Sequence, residues 1–278
     1  GNKISNILHP VGGNFTGIFI TTGSVNIGTV TRNIIGDSSL ANSINIGGPA
    51  MIGGIIAHSQ FPTPGIVNIE NNIIANIIQP SPSIVEFRGI SIFGIRKFCV
   101  EKNKIHNVGP IDVNAKNPVY GIYLAGTNDT GYVVNNMVTL ADGITNNCRY
   151  IGIYDTTWYG LMTNLNLHHN SVHVGGTSNG MNNTYGYLRV GQSKVNIKNN
   201  IFDDMRSGGT GFHVALGNIY IPLVGASDYN ILNNVNSASL TQFLMGYQNL
   251  PTWQLMLSCD FNSFNANPQY QNPAVGDL

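Results

Sequence analysis

The phrase Val195-Asn196-Ile197-Lys198-Asn199-Asn200-Ile201-Phe202 alternates apolar and polar residues, ends in an Asn pair, and recurs along the chain. Val67-Asn68-Ile69-Glu70-Asn71-Asn72-Ile73-Ile74 repeats it, and residues 165–172 and 229–236 are variants. Residues 98–105 carry Lys102 in place of the first Asn, 131–138 contain Asn135-Asn136, and 28–35 keep only Asn33. The second Asn of each phrase falls at Asn2, Asn33, Asn72, Asn103, Asn136, Asn170, Asn200 and Asn234, in steps of 31, 39, 31, 33, 34, 30 and 34 residues. A period of that size restricts the chain to a solenoid, a propeller or an array. The alternation inside each phrase is a strand pattern that sends every second side chain to a core.

A second ladder runs in phase with the first. Gly17-Ile18-Phe19-Ile20, Gly54-Ile55-Ile56, Gly89-Ile90-Ser91-Ile92, Gly121-Ile122-Tyr123-Leu124 and Gly152-Ile153-Tyr154 recur once per repeat, and Tyr187-Leu188-Arg189-Val190 and Gly211-Phe212-His213-Val214 continue it. Each repeat therefore holds at least two short strands. A propeller blade needs four strands joined by antiparallel hairpins, whereas two strand signals recur per repeat, and Asn179-Gly180 reads as part of a loop. The expectation is an all-β chain forming one right-handed parallel β-helix of about eight coils. In stacked coils equivalent residues lie ~4.8 Å apart, so the Asn column at 33, 72, 103, 136, 170, 200 and 234 is expected to form an amide ladder along the axis. An Asn also suits left-handed backbone at the bend. Ile69, Val100, Val133, Leu167, Ile197 and Ile231 are expected to stack in the core.

Residues 1–278 read as a single domain: regular coils over 1–226 with a loop insertion near 36–64, then a last coil and a C-terminal cap over 227–278. Within that cap, residues 250–257 suit a short helix with Pro251 in its first turn and Trp253 turned inward. Because the chain opens inside a repeat phrase, it is expected to be a piece of something longer. Loops at 79–83, 109–118 and 175–183 leave at similar phases and should cluster on one flank.

Only 9% of residues are charged and the formal net charge is zero. There is no basic stripe for nucleic acid, and no apolar run long enough to span a membrane. Cys99, Cys148 and Cys259 are odd in number and widely spaced, which suits neither a disulfide framework nor a zinc site. No cofactor or metal is expected.

The phrase Ile35-Gly36-Asp37-Ser38-Ser39-Leu40-Ala41-Asn42-Ser43-Ile44, the run Asn72-Ile73-Ile74-Ala75-Asn76-Ile77 and the ending are distinctive. In that ending Ser227-Asp228-Tyr229-Asn230, Trp253, Asp260-Phe261-Asn262-Ser263, Asn267-Pro268-Gln269-Tyr270 and Pro273 follow one another. Together they resemble the pectate-lyase-like parallel β-helix repeats of large bacterial surface proteins. The resemblance implies a secreted or cell-surface location, export by the type IX route, and secretion machinery engaged through flanking regions.

Parallel β-helices host both inert stalks and carbohydrate-active enzymes, so fold alone decides nothing. Asp203-Asp204 is the one adjacent acid pair, and neighbours in a strand point to opposite faces, which disfavours a two-carboxylate glycosidase. A polysaccharide lyase needs a base and a cation, which Tyr154, Arg189 and His213 could supply. His168-His169-Asn170-Ser171-Val172-His173 reads as a solvated turn with His173 facing outward. The leading expectation is a non-catalytic surface stalk or adhesin segment. If it binds a polysaccharide or other surface glycan, Tyr123, Tyr154, Arg189 and His213 are expected to stack as an exposed aromatic-to-cationic strip. The bland alternative is that the tyrosines only cover the sheet.

Overall fold

Each coil closes with three short parallel strands, because alternating β-branched residues can line one interior only if every strand bends the same way round it. In a computed structural model, residues 1–82, 85–126, 129–157, 164–220 and 225–278 are described, with side chains excepted at 61–64. The chain is a parallel β-solenoid of about eight turns. The first face stacks the Asn phrases: Val25–Ile27, the ends of Met51–Glu70 and Glu86–Glu101, then Thr130–Val134, Asn164–His168, Lys194–Lys198 and Ser227–Asp228. The second face follows each Asn and runs from Lys3–Ile4 through Lys104–Pro110 and Ser171–Val174 to Phe264–Asn265. The third face carries the Gly-Ile strands, among them Phe15–Ile20, Pro118–Gly126, Arg149–Thr157, Thr184–Arg189 and His213–Asn218. Among the described residues every strand pairing is parallel except the terminal hairpin Thr241–Phe243/Gly246–Gln248 and the isolated Asn272–Asp277 bridge.

The interior is filled by columns in register. Ile69, Val100, Val133, Leu167 and Ile197 stack on the first face, all fully buried. Ile231 does not join them: Ser227 pairs with Ile197, and Ile231 pairs with Ile201 on the second face. Ile55, Ile90, Ile122, Ile153, Tyr187 and Leu216 form the third-face column. The preceding glycines mark a bend where backbone meets backbone. A Cβ on Gly121 would stand 2.4 Å from Val138 Cγ1 and 2.5 Å from the Gly152 carbonyl oxygen.

The Asn ladder runs through Asn33, Asn72, Asn103, Asn136, Asn170 and Asn200, each Nδ2 donating to the next Oδ1 at 2.9–3.2 Å, and its final Asn is Asn230. Asn234 is therefore not a rung. It lies on the second face beside Asp204 and donates to the carbonyls of His213 and Ser239. The cause is register: Asn200 and Asn230 are 30 residues apart, and the shorter Ser227–Asp228 strand hides the phrase behind Tyr229. The amides of Asn103, Asn136 and Asn170 are fully used. Asn136 Oδ1, for example, accepts from Asn103 Nδ2 and the Asn103 backbone N–H, while its Nδ2 donates to Asn170 Oδ1 and the Val100 carbonyl. Left-handed backbone falls on the residue before the rung, at Asn71, Lys102, Asn135, His169, Asn199 and Tyr229.

Residues 36–64 are not one loop. Only 37–43 leaves the coil, held by Asp37 accepting from Ser39 and Leu40 N–H and paired with Lys3. Ile44–Ile46 then returns to pair with Ile77 and Ile78, and residues 51–64 belong to the strand Met51–Glu70. The loops at 109–118 and 175–183 do meet: Asn179 donates to Val113 O and Asn182 to Lys116 O. Ser83 of the loop at 79–83 lies outside the described residues.

The helix Leu250–Leu257 starts at Asn249, whose side chain accepts from Thr252 N–H, with Pro251 in the first turn and Trp253 fully buried. The tail then runs back along the second face. Tyr270 packs edge-on against His173, Gly276 lies over His106, and Asp277 pairs with Lys104 at 2.9 Å. No helix among the described residues is long and apolar enough to cross a membrane.

Candidate functional site

On the third face the outward-pointing column reads Phe19, Ile56, Ser91, Tyr123, Tyr154, Leu188 and Gly217. Tyr123 and Tyr154 stand where the sequence puts them. Arg189 and His213 do not. The glycine column passes through Gly152 and Gly186 to Ala215, so the phrase at 187–190 is one residue out of step with the apparent match, a slip that turns Arg189 to the other face. The phrase at 211–214 is four residues out of step, which places His213 ahead of the bend beside Thr184. Arg189 pairs in register with Asp155 and is fully buried inside the coil. His213 pairs with Thr184 and is also buried.

What replaces them on the surface is a compact aromatic cluster. Tyr120 and Tyr154 are stacked at 5.1 Å between ring centroids, Tyr123 meets Tyr154 at 5.5 Å, and Tyr120 meets Tyr123 edge-on at 5.1 Å. Arg88 lies 3.9 Å over the Tyr123 ring while its guanidinium pairs with Glu86 at 2.8 Å. Further along, Arg149 lies 5.8 Å over Tyr185, whose hydroxyl donates to Gln242 of the terminal hairpin. Tyr120 and Tyr185 are buried, and Tyr123 and Tyr154 are half-buried. Burial pushes the Tyr120 phenol up to about 12 and raises Tyr123 and Tyr154 as well, so the face keeps neutral phenols flanked by two guanidiniums. Arg88, Tyr120 and Tyr185 each directly precede the glycine of their coil. Aligning Gly89, Gly121, Gly152 and Gly186 would have placed them on this face.

The interior holds two polar knots that tie loops to the coil. Arg189 donates to Asn218 Oδ1 at 3.1 Å and to the Ser193 carbonyl, with its Nε 3.7 Å from Asp155 Oδ2. Asp155 also accepts from Thr157 and from the Tyr187 hydroxyl, and burial raises both its pKa and that of Tyr187. At the opposite corner Thr184 Oγ1 lies 2.7 Å from both Asp204 Oδ2 and His213 Nδ1, while His213 Nε2 faces the Gly208 carbonyl at 3.1 Å. Burial pushes Asp204 up to about 7 and lowers His213. These contacts are all met when a protonated Asp204 donates to Thr184 Oγ1, Thr184 donates to His213 Nδ1, and a neutral His213 protonated on Nε2 donates to the Gly208 carbonyl. Asp203 and Asp204 point to opposite faces of their strand, so they do not flank a common substrate bond.

The histidine phrase departs from a plain solvated turn. His173 does face out of the coil, yet it is buried beneath Tyr270, and its Nδ1 lies 2.6 Å from Asp203 Oδ2. The acid comes from the next coil, which sequence proximity does not reveal. On the first face Glu70, Cys99 and Glu101 place their donor atoms within 4.8 Å of one another. There Glu101 is paired with Lys102 at 2.6 Å, and burial with the two carboxylates pushes Cys99 up to about 11.

No protein family, no curated protein and no solved structure matches the chain.

Proposed function

We propose that this β-solenoid is a non-catalytic extracellular or cell-surface segment, stalk- or adhesin-like, whose third face binds a glycan. The observation that carries the reading is the half-exposed Tyr123–Tyr154 pair flanked by Arg88 and Arg149. Flat aromatic faces suit sugar rings, and guanidiniums suit carboxylate or sulfate substituents through paired hydrogen bonds. Neither guanidinium is deeply buried, so each can exchange a tyrosine face for a ligand oxygen. The pectate-lyase-like assignment and export by the type IX route belong to this same proposal, supported by the sequence resemblance alone.

Binding of the full chain to an array of neutral, uronate-containing and sulfated glycans tests it. Retention of an acidic glycan that weakens at least tenfold in Tyr123→Ala/Tyr154→Ala and in Arg149→Gln supports the reading. Unchanged binding in both variants, or none to any glycan, overturns it. Unsaturated products or new reducing ends in the same incubation would put a carbohydrate-active enzyme in its place.

A further inference from the structure

The second face holds an arrangement that the glycan reading does not use. His173 donates from Nδ1 to Asp203 Oδ2 at 2.6 Å, and Asp203 is itself fixed by Asn233 Nδ2 at 2.8 Å. A carboxylate held against Nδ1 sets the tautomer, leaving the lone pair on Nε2. That Nε2 stands 3.8 Å from Asp142 Oδ1, a gap that one ion with bonds of ~2.0–2.1 Å to each can bridge. Gly175 borders the gap: a Cβ there would lie 2.8 Å from Nε2 and 3.0 Å from Oδ1. Asp142 also lines a cavity of about 170 Å³ beneath Ala274 of the returning tail. Thr139, the register neighbour of His173, lines the same cavity, and its Oγ1 is buried with no hydrogen-bond partner among the described residues. Cavities this polar hold solvent or an ion rather than vacuum.

We propose that His173 Nε2 and Asp142 Oδ1 bind a divalent cation of the zinc class, with Thr139 Oγ1 directed at its water shell and Asp203 positioning the imidazole. Imidazole with one carboxylate suits a borderline cation better than the hard oxygen-only ions. The turn after strand Met137–Leu140 supplies Asp142 and the strand Ser171–Val174 supplies His173, so the ion joins neighbouring coils beneath the C-terminal segment. Coordination makes and breaks no covalent bond and needs no further reactant.

Titration calorimetry of the full chain with ZnCl2 at neutral pH tests this. One equivalent should bind. Affinity should fall at least tenfold in Asp142→Asn, which is nearly isosteric and partly exposed, and in Gly175→Ala, which fills the gap. Asp203→Asn keeps both ligands and should weaken binding 10–100-fold, as loss of a partner behind a ligating His does. Circular dichroism confirms that each variant is folded. Glu101→Gln and His168→Gln/His169→Gln should leave the titration unchanged. No binding at millimolar zinc overturns the proposal. So does affinity indifferent to Asp142→Asn and Gly175→Ala, or affinity lost through Glu101 or the His168–His169 pair.

Discussion

Asn230 donates through Nδ2 to Asp260 Oδ1 at 3.0 Å, and in this contact the Asn ladder ends on a carboxylate of the C-terminal cap. Asp260 Oδ2 meanwhile accepts from Trp253 Nε1 at 2.9 Å, and Ser263 Oγ both donates to Asp260 and accepts the Asn230 N–H. The last rung of a hydrogen-bonded stack has no coil beyond it, so its donors need an outside acceptor. The helix Leu250–Leu257 brings Trp253 to that acceptor and closes the core end. Asp260→Ala leaves the buried donors Trp253 Nε1 and Ser263 Oγ unpaired and should cost about 3 kcal/mol, on the basis of 1–3 kcal/mol per unsatisfied group. Urea unfolding against Asn265→Ala, an exposed position in the same region, measures it.

The middle of the ladder makes a separate prediction. Asn136→Leu removes the acceptor of Asn103 and the donor of Asn170 in a site with no exposure. The expected loss is on the order of 1–3 kcal/mol. Asn114→Ala, at an exposed loop position, should shift the midpoint by a few tenths at most. Equal shifts in the two variants would show that the ladder contributes little.

Left-handed backbone at the residue before each rung predicts stabilising changes. Lys102 and Tyr229 adopt φ of 55° and 59°, where a side chain other than Asn or Gly is strained. Lys102→Asn and Tyr229→Asn should each raise stability by about 0.5–1 kcal/mol. Asn135→Leu, at φ 55°, should lower it by a similar amount. Thermal melts of the three variants check the opposite signs.

Buried Asp204 sets a pH dependence. Its carboxyl has an ordinary pKa of 3.8, pushed up to about 7 chiefly by burial. Between these values the folded chain holds a proton that the unfolded chain has released. This contribution is therefore complete below about pH 4 and is lost as pH rises through about 7. Asp204→Asn keeps the acceptor and can donate to Thr184 without a charge. It should stabilise the chain by about 4 kcal/mol at pH 8 relative to pH 4, from ~1.4 kcal/mol per pH unit. Urea midpoints of wild type and variant across that range give the difference curve, and a flat one would place the charge elsewhere.

The period near 31–34 residues, the Asn and glycine columns and the inward isoleucines were legible in the chain because a solenoid repeats one local environment once per coil. Stacking makes equivalent residues neighbours, so sequence phase becomes spatial contact. Tyr123 and Tyr154 were placed correctly for that reason. The same logic failed where one coil was shortened or shifted. Tyr187-Leu188-Arg189 imitates the Gly-Ile-x phrase one residue out of step, and the register turned Arg189 inward to Asp155. Asn234 imitates a rung, yet the short strand Ser227–Asp228 put Asn230 there instead. Only the tertiary structure decided these, because register is a property of a strand and its neighbours together. It alone also set His173 against Asp203 and Asp142 and laid Tyr270 across them, since those contacts join coils and a non-periodic tail that no repeat encodes.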